Sequence, residues 1–205
     1  RCTVHGREGH SGLTHLGVNA VEAAAEAVAY LKGMSRRMKK EGPFDTELQP
    51  PYTTIHTGVI QGGTQLNIIP KRCWFDFEFR HLPEIDPESL LEELQQYVHQ
   101  NLLPEMREVA QESDFQWVAT SKAPGLNTDK DADIVRLAQT LTGANTSGKI
   151  AFGTEGGLFS DAGMPAVVCG PGSIEQAHKP NEWIELEQLN QCERFVARLI
   201  DHLCE

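Results

Sequence analysis

Polar and apolar positions change their period several times along the 205 residues, and each change predicts an element. From Asn19 to about Lys39, Ala20, Ala24, Ala27, Leu31 and Met34 recur at helical spacing, which puts them on one face. The small residues suit close packing on a sheet. Asn19 stands at the cap position with Glu22 three residues on, a capping-box-like pair, and Lys39-Lys40-Glu41-Gly42-Pro43 ends the helix. The period then drops to two. Cys73, Phe75, Phe77 and Phe79 alternate with Trp74, Asp76, Glu78 and Arg80, so one face of that strand is covered and the other is wet. Residues 53–60 and 66–80 predict a hairpin turning at Gly62-Gly63. Helical spacing returns behind Asp86-Pro87, a cap followed by a first-turn proline. Leu90, Leu91, Leu94 and Val98 face inward, and Pro104 kinks or interrupts the helix. With short strands at residues 1–6 and 115–121, the run 1–121 reads as β-α-β-β-α-β, a ferredoxin-like unit.

Pro124-Gly125 marks a linker over 122–129, and residues 122–205 form the second unit. The expected order there is a helix over 131–142, a strand over 149–152, a short helix after Gly156-Gly157, a strand over 166–169 and a long last helix. Leu186, Leu189, Cys192, Phe195, Val196, Leu199, Ile200 and Leu203 give that helix a continuous apolar stripe. Two short strands make a poor sheet in isolation. The fold class is α/β in the wider, α+β sense.

A composition with 40% hydrophobic and 23% charged residues is that of an ordinary globular chain. The net charge of -11 argues against nucleic acid or an anionic membrane as partner. No apolar run approaches the ~20 residues that span a bilayer, and no signal-peptide pattern is visible. Five scattered cysteines without a C-x-x-C spacing predict buried free thiols in a reducing cytosol.

Candidate chemistry concentrates on loops. His178 follows the strand-like 166–169 and the turn Gly170-Pro171-Gly172-Ser173, and Pro180 keeps Lys179 out of a helix. Ligands of open α/β sheets bind outside such strand ends, and a neutral imidazole there is a normal metal ligand. A solvated loop histidine is the competing assignment. His10, in Gly6-Arg7-Glu8-Gly9-His10-Ser11-Gly12, has the same two readings. Asn67 reads as a turn-closing residue. Arg80 can pair with Glu78 or Asp76 on its own face, or hold a substrate carboxylate as a guanidinium fork. Gly153-Thr154-Glu155-Gly156-Gly157 is neither a P-loop nor a dinucleotide fingerprint; its backbone amides could approach a ligand. Ser11, Ser160 and Ser173 lack a nucleophile-elbow context.

Six landmarks occur in order: Gly9-His10-Ser11, Gly17-Val18-Asn19-Ala20, Gly62-Gly63 with Asn67-Ile68-Ile69-Pro70, Phe75 to Arg80, Phe152 to Gly157, and the segment around His178. Together they resemble the zinc-dependent amidohydrolase and peptidase family of acetylornithine deacetylase, succinyl-diaminopimelate desuccinylase and glutamate carboxypeptidases. Gly153-Thr154-Glu155 and Gly170-Pro171-Gly172-Ser173-Ile174 before Gln176-Ala177-His178 look most like the acetylornithine deacetylase branch. The resemblance implies zinc (or cobalt) with His178 as the last metal ligand. It implies His10 polarising the scissile carbonyl in the partner subunit's site and Asn67 contacting substrate and oxyanion; Arg80, Gly153, Thr154 and Glu155 are then expected substrate contacts from their own chemistry. Glu155 either recognises the δ-ammonium of acetylornithine or accepts the amides of Gly156 and Gly157. The family's N-terminal half carries a His-x-Asp motif, absent from this sequence, and a Glu-Glu pair; the sole Glu-Glu here is Glu92-Glu93, on the wet face of a helix. The resemblance thus implies a fragment: a lid and dimerisation domain (1–121) plus the C-terminal part of the catalytic domain (122–205). The whole would be a cytoplasmic, homodimeric deacylase of a small N-acyl amino acid. The fragment alone is expected to be inactive and to bind no zinc tightly. The alternatives are a sister desuccinylase or dipeptidase, or a non-catalytic dimerisation module.

Overall fold

The computed structural model describes residues 1–150, 152–177 and 179–204. They divide into two compact units, Arg1–Lys122 and Ala123–Glu205.

In the first unit the strands are β1 (Cys2–His5), β2 (Gly9–His10), β3 (Thr54–Gly62), β4 (Ile68–Ile69), β5 (Arg72–Arg80) and β6 (Asp114–Trp117). The helices are α1 (Ala20–Glu41), α2 (Pro87–Tyr97) and α3 (Leu103–Val109). Four strands form an antiparallel sheet in the order β3-β5-β1-β6. That order, with one helical segment after β1 and another after β5, is the ferredoxin-like arrangement. Alternation in β5 sends Cys73 and Phe75 into the core, where Cys2, Val4 and Phe115 join them. Ala24, Ala27, Leu31 and Met34 of α1 and Leu90, Leu94 and Val98 of the second helical segment cover that face. The opposite face stays polar: Arg1 forks onto Asp76 at 2.9 Å through two nitrogens and lies 4.0 Å over the Trp74 ring.

Local rules account for the element ends. Asn19 accepts from the amides of Val21 and Glu22 at 3.0 and 3.2 Å, satisfying two orphan donors of α1. Asp86 caps α2 by accepting from Glu88 N at 3.0 Å, with Pro87 in the first turn. Pro104 has no N–H for the Gln100 carbonyl, and its ring would collide with it. The chain responds with a π turn over Val98–Leu102 and then resumes as α3.

Three expectations change. The long strand over 66–80 is divided: Ile68–Ile69 pairs with β2, and Pro70 separates it from β5. Proline cannot donate to a ladder, and the Pro70 carbonyl instead accepts from Ala20 N at 2.9 Å. The last strand stops at Trp117, short of residue 121. All five cysteines are free, but only Cys2 and Cys73 are buried; Cys169 and Cys204 are exposed.

The second unit contains α4 (Asp133–Thr142), α5 (Gly156–Asp161) and α6 (Leu186–Cys204). The expected strands at 149–152 and 166–169 do not form among the described residues. A strand exists only where a neighbour supplies its ladder of N–H and C=O groups, and none is paired with either segment. Gly157 is set by close approach: a Cβ on it would lie 2.0 Å from the Pro124 carbonyl oxygen.

Candidate functional site

The loop between β1 and α1 is drawn into a fixed shape by backbone pairing. Gly6 N donates to Lys71 O at 2.9 Å, and Arg7 and Val18 exchange both backbone hydrogen bonds at 3.0 Å. Glycine suits position 17 at the crossing, because a Cβ there would meet Ile69 Cδ1 at 2.6 Å and the Arg7 carbonyl oxygen at 3.0 Å. Between these anchors β2 pairs with β4, with His10 opposite Ile68 and Gly9 opposite Ile69. Ser11 N then donates to Asn67 O at 3.1 Å. His10 and Asn67 are thereby brought onto one two-stranded strip, although 57 residues separate them. Both residues are exposed. The His10 carbonyl accepts from Leu13 N at 2.8 Å, and its ring Nδ1 accepts from Gly12 N at 3.0 Å.

A second support was invisible in the pattern. Arg7 donates through Nε and a terminal nitrogen to both Glu112 oxygens at 2.8 and 2.7 Å, and through its other terminal nitrogen to Val109 O at 2.8 Å. This fork clamps the base of the His10 loop to the chain between α3 and β6. The Glu112 carboxyl is held below its ordinary range, first by its own backbone amide and then by Arg7. No local motif signals the pair, because 105 residues separate its members. Lys71 and Glu8, 3.2 Å apart, line a shallow cleft of about 290 Å³ with Thr64, Ile68, Pro70, Arg72 and Trp74.

Arg80 lies elsewhere. The His10 loop leaves the sheet where His5 faces Arg72, and Arg80 is eight residues further along β5. At ~3.4 Å per residue that is about 27 Å away. Its guanidinium pairs with Glu78, at 2.9 Å through Nε.

In the second unit, Thr154 Oγ1 accepts from Gly156 N at 3.2 Å, and the Glu155 carbonyl starts α5 by accepting from Leu158 N at 3.0 Å. Among the described residues the Glu155 carboxylate, which is exposed, accepts no hydrogen bond. Gly153 has open space on the side a Cβ would take. His178 lies outside the described residues. Near it in sequence, Gly172, Ser173, Gln176, Trp183 and Gln188 line a cleft of about 250 Å³.

The donor chemistry for a metal is incomplete. No group of three or more His, Cys, Asp or Glu side chains able to hold an ion occurs among the described residues, whereas a catalytic zinc takes three protein ligands. The described residues by themselves do not fit the metal implied by the resemblance. No helix among them is long and apolar enough to cross a membrane.

Comparison with known proteins relates the chain to one family, two relatives and two solved structures. Residues 1–106 match the peptidase dimerisation domain family. An acetylornithine deacetylase of Myxococcus xanthus is 36% identical over 201 residues, which is 98% of this chain and 51% of that protein. One from Pasteurella multocida is 28% identical over 98% of this chain and 50% of its own length. The chain thus spans about half the length of the curated relatives it matches. In fold, it resembles the aminopeptidase PepT of Bacillus cereus, with a TM-score of 0.67 and 21% identity over 100% of this chain and 51% of that one. It also resembles an M20 family metallo-carboxypeptidase of Sulfolobus solfataricus, with a TM-score of 0.59 and 16% identity over 95% and 56% of the two chains.

Proposed function

This chain belongs to the peptidase dimerisation domain family, and on that premise we propose that it is part of a metal-dependent deacylase that hydrolyses N-acetylornithine to ornithine and acetate, a step of arginine biosynthesis in the cytoplasm. In this reading residues 1–121 are the lid and dimerisation domain, and residues 122–205 are the C-terminal portion of the catalytic domain. The observation that carries it is the β2–β4 strip, which presents His10 and Asn67 together on an exposed, rigidly anchored edge. The similarity to acetylornithine deacetylases over 98% of the chain supports the choice of substrate.

Hydrolysis of an amide needs donors aimed at the oxygen on which negative charge develops. His10 donates from its free Nε2, and the side-chain amide of Asn67 adds a second donor. Each is worth on the order of 10²–10³ in kcat. A zinc or cobalt ion, with His178 as one ligand, would supply a Lewis acid and an acidified water when bound. The described residues hold no cluster that would supply its other ligands.

Arg80 lies about 27 Å along β5 from Arg72, the end of the strand at which the His10 loop leaves the sheet, and this supports a site shared across a homodimer. One subunit contributes His10 and Asn67, and its partner contributes Arg80, which exchanges Glu78 for the substrate carboxylate. Strand β3 is nine residues long and lies at the edge of the sheet, so two copies related by a twofold axis can pair there. Gly153 and Thr154 approach the substrate's acyl or carboxylate end. Glu155 faces the δ-ammonium; among the described residues its carboxylate accepts no hydrogen bond, and the Gly156 amide it could have accepted goes to Thr154.

Mixing whole-protein subunits carrying His10→Ala with subunits carrying His178→Ala tests the shared site. Mixed dimers regain activity that neither parent has; no gain overturns the trans assignment of His10. Glu155→Gln lowers kcat/KM for acetylornithine while sparing neutral N-acetyl amino acids. An equal loss for both makes Glu155 a loop organiser. The isolated 205-residue chain is inactive in this reading, and turnover by it, with stoichiometric zinc that disappears on His178→Ala, would overturn the fragment assignment. Faster hydrolysis of succinyl-diaminopimelate than of acetylornithine by the whole protein would move the assignment to the sister desuccinylase.

A further inference from the structure

We infer that the backbone amide of Gly12 is a positioning group that holds the neutral His10 ring in its Nε2–H tautomer, so that the exposed nitrogen is a committed hydrogen-bond donor. The assignment follows from donor and acceptor chemistry. Gly12 N lies 3.0 Å from His10 Nδ1. A backbone N–H can only donate, so Nδ1 presents its lone pair and, in the neutral ring, the proton sits on Nε2. The rest of the loop makes this contact a fixed one. The His10 carbonyl is held by Leu13 N at 2.8 Å, its strand position by Ile68, and the next residue by Asn67 O at 3.1 Å. Glycine is also the residue that leaves room. A Cβ at position 12 would sit 3.3 Å from Nδ1 and 3.5 Å from Cε1, close enough to push the ring.

The use of the device rests on the proposed function. A carbonyl oxygen acquiring negative charge needs a donor, and the opposite tautomer would present it with a lone pair. Committing Nδ1 beforehand removes that second state from the ensemble, which is what preorganisation means for a single side chain.

The test is NMR on the 205-residue chain with labelled histidine and glycine, at about pH 9, where an ordinary imidazole is neutral. Long-range proton–nitrogen correlation is expected to show His10 with a pyridine-type Nδ1 and a pyrrole-type Nε2. A scalar coupling across the hydrogen bond from Gly12 nitrogen to Nδ1 is expected with it. His15, exposed in the same loop, serves as the control for a ring averaging between tautomers. A protonated Nδ1, an averaged pattern like that of His15, or no coupling to Gly12 overturns the inference. Gly12→Pro deletes the donor and is expected to abolish the coupling and move His10 to the averaged pattern; an unchanged single tautomer in that variant overturns it equally. If Gly12→Pro fails to fold, the wild-type coupling decides alone. The measurement involves no catalysis, so its outcome is independent of whether the hydrolysis assignment stands.

Discussion

Residues 1–122 and 123–205 are both strongly amphipathic in sequence, yet they bury their apolar surface to very different degrees. The first unit closes Cys2, Val4, Phe75, Leu31, Met34, Leu94 and Val98 into one core, each at most 1% exposed. In the second, the buried hydrophobic residues among those described are Val135 and Leu141, while Leu186, Leu189, Val196, Ile200 and Leu203 along α6 stay between 42% and 75% exposed. Hydrophobic stabilisation scales with area removed from water, at ~25 cal/mol per Å². A stripe that stays wet contributes little of it. The difference teaches that amphipathic spacing reports which surface a helix is built to cover, and that covering it requires a second layer. The first unit carries its own sheet for this purpose; the second has helices and no paired strands among its described residues.

The comparison can be broken most directly at Phe75, which is fully buried. Phe75→Ala is expected to destabilise the first unit by about 3–5 kcal/mol, read from urea unfolding by the fluorescence of Trp74 and Trp117. A loss below about 1 kcal/mol would mean that the core is not the closed one described. Hydrogen exchange reads the two units side by side. Amides of β1 and β5 should be protected on the order of 10³-fold more strongly than those of α6, since local opening runs from near zero to the global free energy. Equal protection would show that the second unit is as cooperative as the first.

A third experiment uses pH. Burial pushes the Cys2 thiol up from 9.0 to about 12, and burial also raises that of Cys73. The thiol is neutral when protonated, so between 9.0 and about 12 the folded chain keeps a proton that the unfolded chain releases. This contribution to stability is complete below that interval and falls as pH rises through it, by up to about 1.4 kcal/mol per pH unit. Urea midpoints of the first unit should therefore drop on alkaline titration, and Cys2→Ala should flatten the slope; a slope unchanged by that substitution contradicts the burial argument. The smallest effect is expected on α6. Leu203 is 73% exposed, so Leu203→Ser should change the stability of the chain by no more than about 0.5 kcal/mol. A larger loss, followed by far-ultraviolet circular dichroism, would mean that the stripe is already covered in solution.

Much of this protein was legible from local chemistry. The α1 cap at Asn19, the α2 start at Asp86-Pro87, the alternation along β5 and the break ahead of Pro104 each depend on interactions within a few residues, so the chain carries them wherever it folds. The ferredoxin-like order followed, because four strands and two helical segments in that sequence have few ways to share one face. His10 and Asn67 stood out as loop residues, but their meeting on one strip did not. It depends on Gly9 and His10 finding Ile69 and Ile68, on Gly17 yielding to Ile69, and on Arg7 reaching Glu112 across 105 residues. The separation of Arg80 from that strip is equally a product of strand direction and length. At 149–152 and 166–169 the pattern called for strands and the described residues form none, because a strand is completed by hydrogen bonds to a neighbour. Caps, periods and breaks are properties of a segment and were determined by the sequence alone. Pairings, clamps and covered faces are properties of two segments, and only the tertiary structure decided which partner each one met.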